Sequence, residues 1–266
     1  MKRIELPYVL ATCLGLTAFA NIAQAACTFG SSGEPSLQQS FNDLFGSAAA
    51  PDAANDCLAD GDGPGRDGVW QSTGGSSATI LLELAGFADL NTFGLYDPLN
   101  PANRLEVFAG RLGPGSTASL SFDAVVGGTR VTMSIVGSPE PSRSVVFQSE
   151  AFGFLLSTPE GNTFFTQSNL NVDHADHSYA YVGDGAWFQR GGAQGTQFGV
   201  HDAILAYEDL VHGDNDFQDF VVLVRGVEPI PLPAAGWLLV TALAGLARRR
   251  REAIPAAATS RDGLLA

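Results

Sequence analysis

Lysine is almost missing from this 266-residue chain: Lys2 is the only one, and basic residues number 14 against 28 acids. A formal charge of −14 excludes a surface that grips a phosphate backbone, so nucleic acid is not an expected partner. Cysteine is scarce as well, with three in all, and a cysteine pair without clustered histidines does not build a zinc centre. There is no Gly-x-Ser-x-Gly elbow, no catalytic-cysteine context and no phosphate-cradling loop. Between residues 78 and 227 no helical pattern is long enough to bridge parallel strands, which excludes a βαβ architecture.

What is present points to an all-β body. Gly 31 and Pro 14 supply many turns, while 45% hydrophobic residues, 17 of them Phe, can fill a core and exclude wholesale disorder. Short apolar runs punctuated by Gly, Pro, Asp and Asn predict strands near 79–84, 92–96, 105–109, 117–122, 131–136 and 145–148. Further strands are predicted near 152–156, 163–166, 179–182, 203–207 and 217–224. The expected fold is an antiparallel β-sandwich or jelly roll. One short helix is predicted over 35–45, where Leu37, Phe41 and Leu44 recur at helical spacing.

The two ends read as addresses. Lys2 and Arg3, the apolar stretch 8–20 and Ala23-Gln24-Ala25 have the three parts of a cleaved secretory signal, 1–25. Export to an oxidising compartment would leave Cys27 and Cys57 to pair with each other within a Gly/Asp-rich segment, 26–75, with two unpaired thiols as the alternative. At the other end no residue from Pro229 to Ala247 is charged, a run of nineteen that is long enough for a transmembrane helix, followed by Arg248, Arg249, Arg250 and Arg251. The arginines would stay cytoplasmic, with the tail 252–266 behind them.

Ile230-Pro231-Leu232-Pro233-Ala234, the apolar run and the arginines resemble the PEP-CTERM sorting signals of Gram-negative bacteria, in the variant reading Val-Pro-Leu-Pro-Ala. That resemblance, over 228–251, implies processing by an exosortase-type membrane protease and release toward the cell surface or an exopolysaccharide matrix. A permanent membrane anchor is the other reading.

Inside the body, two stretches are similar to DUF4114 domains. One runs through Leu84-Ala85-Gly86-Phe87-Ala88-Asp89-Leu90-Asn91-Thr92-Phe93-Gly94-Leu95-Tyr96-Asp97. The other is Tyr207-Glu208-Asp209-Leu210 followed by Gly213-Asp214-Asn215-Asp216-Phe217-Gln218-Asp219-Phe220-Val221-Val222, with Gln218 where Asn or Asp is common. The resemblance implies one domain over about 76–227 and a place among surface and sorted bacterial proteins, with no activity attached.

Residues 26–227 carry 24 acids and 7 arginines, a net −17 that would concentrate cations. The densest carboxylate group is Glu208, Asp209, Asp214, Asp216 and Asp219. If 203–207 and 217–224 pair as a hairpin, all five surround its loop, and alternation points Asp219 the same way as Phe217, Val221 and Leu223. A carboxylate facing a core needs a compensating cation or backbone N–H groups. Ca²⁺, which takes six to eight hard oxygens in flexible geometry, suits such a set. The competing reading is that Asp and Asn only cap turns there.

Three weaker candidates complete the inventory. The stretch 60–68 partly mimics an EF-hand loop, but Pro64 and Gln71 stand where ligands belong, so a Gly-rich turn is preferred. His174 and His177, with His201 or His212, could chelate a transition metal only if the fold supplied a third ligand. Tyr179, Tyr181, Trp187 and Phe188 could stack on sugar rings or fill the core. The expectation is therefore a secreted, non-enzymatic, calcium-stabilised surface or matrix protein. Its alternative is a secreted carbohydrate-binding protein or polysaccharide hydrolase.

Overall fold

The computed structural model describes residues 27–30, 34–58, 68–83, 90–190 and 193–230. The leader 1–25, nearly all of the Gly/Asp turn at 60–68, residues 84–89 and the sorting segment with its tail (231–266) lie outside the described residues. Among the described residues no helix is long and apolar enough to cross a membrane.

The body consists of antiparallel β-sheets and one short α-helix, α1 (Leu37–Phe45). The strands are β1 (Cys57–Leu58), β2 (Trp70–Glu83), β3 (Thr92–Asp97), β4 (Asn100–Phe108), β5 (Thr117–Val125) and β6 (Gly128–Ile135). They continue as β7 (Arg143–Phe147), β8 (Gly153–Ser157), β9 (Thr163–Phe165), β10 (Ser178–Val182), β11 (Asp202–Tyr207) and β12 (Phe220–Pro229). Eight strands form one sheet in the order β1-β10-β11-β12-β2-β5-β6-β7, and four form a second, β4-β3-β8-β9.

The two sheets bury one shared core. Phe93, Leu95, Val107, Phe108, Phe154 and Leu156 of the smaller sheet meet Trp70, Ile80, Leu120, Val131, Leu205 and Val222 of the larger. Phenylalanine supplies much of the bulk: Phe93 stacks on Phe154 and Phe220, each 5.7 Å between ring centroids, and on Phe108 at 6.1 Å. Offset aromatic pairs of this kind contribute about 0.5–1.5 kcal/mol each beyond the area they bury.

Pattern and burial agree strand by strand. β5 and β6 alternate buried and accessible positions because one face of that half of the sheet meets solvent. β11 is buried at every position, and after Asp202 its sequence Ala-Ile-Leu-Ala-Tyr has no polar alternate. Ala203, Leu205 and Tyr207 enter the shared core, while Ile204 and Ala206 face a second apolar layer on the opposite side. β12 divides likewise, with Phe220, Val222 and Val224 inward and Val221 and Leu223 outward.

The N-terminal segment makes that second layer. Ser36 caps α1 by accepting from the Gln39 N–H at 3.2 Å, and Gly46, at φ +83°, ends the helix by donating to the Asn42 carbonyl. Leu37, Phe41, Leu44 and Phe45 line its buried face, and the Phe41 ring packs edge-on to Tyr181, 4.8 Å away. Gln38 accepts from the Ala53 N–H at 2.8 Å, Tyr181 donates to the Ala53 carbonyl at 2.9 Å, and β1 joins β10 as the outermost strand. Cys27 and Cys57 are disulfide-bonded across this layer, with their Cα atoms 6.4 Å apart.

Three details depart from the sequence reading. β2 begins at Trp70, nine residues before the predicted start at 79, so the strand crosses the expected boundary at 75/76. β1 carries too little apolar pattern to be predicted at all. β12 starts at Phe220 rather than 217, since Phe217 sits at φ +57°, outside any strand conformation.

Candidate functional site

β11 and β12 pair with Tyr207 opposite Phe220, which leaves residues 208–219 as the loop closing that hairpin. All five candidate acids lie on this loop. Glu208 and Asp209 leave the end of β11, Asp219 precedes β12, and Asp214 and Asp216 come from the middle. Four are shut away from solvent, with accessibilities of 1% for Glu208, 2% for Asp209, 5% for Asp216 and 9% for Asp219. Asp214 is exposed.

The loop is tied down on several sides. The Glu208 N–H donates to the His177 carbonyl at 3.0 Å, beside the start of β10. The Asp209 N–H donates to Asp219 Oδ2 at 3.0 Å, closing the base of the loop. Gly30 of the N-terminal segment donates to the Asn215 carbonyl at 2.8 Å. Phe217 stacks face to face on Tyr179, 3.9 Å between centroids, and meets Phe29 edge-on. His212, Asn215 and Phe217 all have positive φ near 60°. For a bulky residue such as Phe217 this backbone costs on the order of 1–3 kcal/mol, so the surrounding packing must over-determine it.

Asp219 is therefore not a strand residue facing the core with Phe217, as alternation suggested. It lies one position before β12, and its carboxylate turns to the Asp209 backbone and the other acids. Two sets of carboxylate oxygens lie within 4.8 Å of one another: Glu208 with Asp209 and Asp219, and Glu208 with Asp214 and Asp216.

Two amides that the sequence reading did not assign to the site join it. Asn91, just before β3, donates through Nδ2 to Asp209 Oδ2 at 2.8 Å. Gln218 donates through its backbone N–H and Nε2 to the two oxygens of Asp216, at 3.2 and 2.8 Å, and through Nε2 to Glu34 at 3.3 Å. Gln218, the departure from the usual Asn or Asp, thus holds an acid of the loop in place. Asn91 is 118 residues from its partner, beyond any local pattern, although it falls inside the first resemblance motif.

Neither oxygen of Glu208 accepts a hydrogen bond from an N–H donor or from a Ser, Thr or Tyr hydroxyl, although both are buried. Asn91 Oδ1 and Gln218 Oε1 are likewise buried without a donor. Gly213 is needed for the Glu208 carboxylate to sit where it does, because a Cβ at that position would fall on Glu208 Oε1. Burial, and next the charge of Asp214, raises the Glu208 carboxyl to about 7, against a hydrogen bond shared with the Asp219 carboxyl. Burial and then Asp209 raise Asp219 to about 9. Asp209 is also raised, by burial, against the opposing hydrogen bond from Asn91. None of the five acids makes an ion pair with an Arg or His among the described residues.

The remaining candidates separate. His177 is buried, stacked on Phe164 at 4.1 Å, and bonded through Nε2 to Asp173 at 3.0 Å. Neither it nor His174, His201 or His212 joins a metal-ligand cluster among the described residues. Tyr179, Tyr181 and Phe188 are core side chains, and of the four predicted aromatics only Trp187 is exposed, at 56%.

The fold and site together define an antiparallel two-sheet body that closes its last hairpin with a buried carboxylate loop. Residues 127–227, from the turn before β6 into β12, match the domain of unknown function DUF4114. The match contains the whole acidic loop and the closing motif; it begins after β5 and does not reach the 84–97 segment. No curated protein and no solved structure matches the chain.

Proposed function

We propose that this protein is a secreted, non-enzymatic β-sandwich whose last hairpin is fixed by Ca²⁺ held between Glu208, Asp209, Asp214, Asp216 and Asp219. The observation that carries the reading is the Glu208 carboxylate, 1% accessible, with no N–H donor on either oxygen and with other acids, Asp219 among them, as its neighbours. A buried anion costs several kcal/mol unless it is paired or protonated. The donor set consists only of carboxylate and amide oxygens, which favours a hard cation over zinc or copper. Carboxylates that repel one another when ionised become ligands when a divalent ion stands between them. The role of the ion is mechanical, since it joins the ends of β11 and β12 to the loop that Phe217 packs onto the N-terminal layer.

The chain's ends supply the address in this reading. The leader carries it through the inner membrane. Pro231, Leu232, Pro233 and Ala234, the apolar run and Arg248–Arg251 present it to an exosortase-type protease, which delivers it to the cell surface or exopolysaccharide matrix. Extracellular modules commonly bind calcium at about 10⁻⁴–10⁻³ M, so environmental calcium would load the site outside the cell. Thermal melts in EDTA and in calcium test the metal role directly. A transition temperature raised by calcium and restored on re-addition after chelation is expected, and an unchanged transition after full chelation would refute it.

A further inference from the structure

We infer that the loop holds two calcium ions, with Glu208 bridging them; the inference rests on the calcium reading above and specifies its stoichiometry. Oxygens around one Ca²⁺ lie about 2.3–2.6 Å from it, so two ligands of one ion can be at most about 5 Å apart. Two sets of three carboxylates meet that limit, and Glu208 is the only residue in both. Asp209 and Asp219, at the two ends of the loop, define one compartment with it. Asp214 and Asp216, from the middle, define the other.

The unsatisfied atoms divide the same way. Both Glu208 oxygens are buried without an N–H donor among the other acids, so each can face a different ion. Asn91 is bonded to Asp209 and leaves its Oδ1 buried and unpartnered. Gln218 is bonded to Asp216 and leaves its Oε1 in the same condition. Each carboxylate set thus comes with one amide whose nitrogen orients an acid and whose oxygen has no partner, and amide oxygens are ordinary calcium ligands. Charge decides in the same direction. One divalent ion against five carboxylates leaves three negative charges in a largely buried site, whereas two leave one. The Gly213 backbone passes so close to Glu208 Oε1 that a side chain there would displace the shared carboxylate.

The second compartment contains the one exposed acid, Asp214, and Asp214→Asn changes no buried packing. Native mass spectrometry of the full-length protein, titrated with calcium, counts the ions. Two per chain are expected for the wild type and one for Asp214→Asn, with the Asp209–Asp219 compartment still filled. A maximum of one ion in the wild type overturns the bridge but leaves the calcium reading standing, and no bound ion overturns both. Two ions in Asp214→Asn and in Asp214→Asn/Asp216→Asn would also overturn the assignment of these acids to a second ion. An equal loss from Asp123→Asn, an acid on β5 away from the loop, would show that the count reports surface charge alone.

Discussion

Replacing Glu208 by Gln should stabilise the metal-free protein while abolishing much of its response to calcium. Gln keeps the shape of the side chain, removes the charge and adds an N–H donor among the surrounding carboxylates. The size of the effect follows from the raised carboxyl. Its value moves from 4.5 to about 7 on folding, and each tenfold change in proton affinity is about 1.4 kcal/mol, so ionised Glu208 costs the folded state about 3 kcal/mol. The sign is fixed by linkage. A carboxyl raised in the folded state contributes stability that is complete below its unfolded value and lost as pH rises through the folded one. In EDTA the wild type should therefore weaken between about pH 5 and pH 8, and Asp219, raised to about 9, should extend the loss upward. Glu208→Gln should melt roughly 6–12 °C above the wild type near pH 8 in EDTA, with the gap closing toward pH 4.5. In calcium the order should reverse, because the ion binds the ionised carboxylate. Circular dichroism melts of both proteins, in EDTA and in calcium across this range, test every step. A variant less stable than the wild type in EDTA near pH 8 would refute the claim that Glu208 is held as an uncompensated buried acid.

Four further predictions are independent of that pair of melts. Replacing Cys27 and Cys57 by Ser should cost about 2–4 kcal/mol, read as a lower denaturation midpoint, through the freedom returned to the unfolded N-terminal segment. Phe41→Ala should cost about 3–5 kcal/mol, since the ring is fully buried between α1 and Tyr181; a cost below 1 kcal/mol would mean the outer layer does not support β10–β12. Gly213→Ala should lower calcium affinity at least tenfold by displacing the Glu208 carboxylate, with a near-normal transition in EDTA. For the address, mass spectrometry of cell-associated and released protein should find a mature C-terminus before Arg248 in the released form. Intact Arg248–Arg251 in both fractions would sink the sorting proposal.

Among the described residues, eleven of the twelve strands and α1 were legible in the sequence, because period-2 apolar runs and turn residues mark them where one face or both are buried. Where the chain spends Ser and Gly instead, as in residues 71–77 of β2, no apolar pattern announces the strand; its partners in β12 do. Two-residue β1 exists because the disulfide layer lies against β10, which no local signal encodes. The acids of the loop could be grouped from sequence because they are close along the chain. Their surroundings could not, since Asn91 comes from the start of β3 and Glu34 from the N-terminal layer. The left-handed backbone of Phe217 was equally hidden, and it moved the start of β12 and the orientation expected for Asp219.

The most direct measurement of the central claim is calorimetric titration of calcium into metal-free full-length protein near neutral pH, run in two buffers of different protonation enthalpy. Saturable binding is predicted, with protons released to the buffer as the metal displaces them from Glu208 and Asp219, and with both signals largely lost in Glu208→Gln. Binding that is absent, or identical in the variant and without proton release, would contradict it.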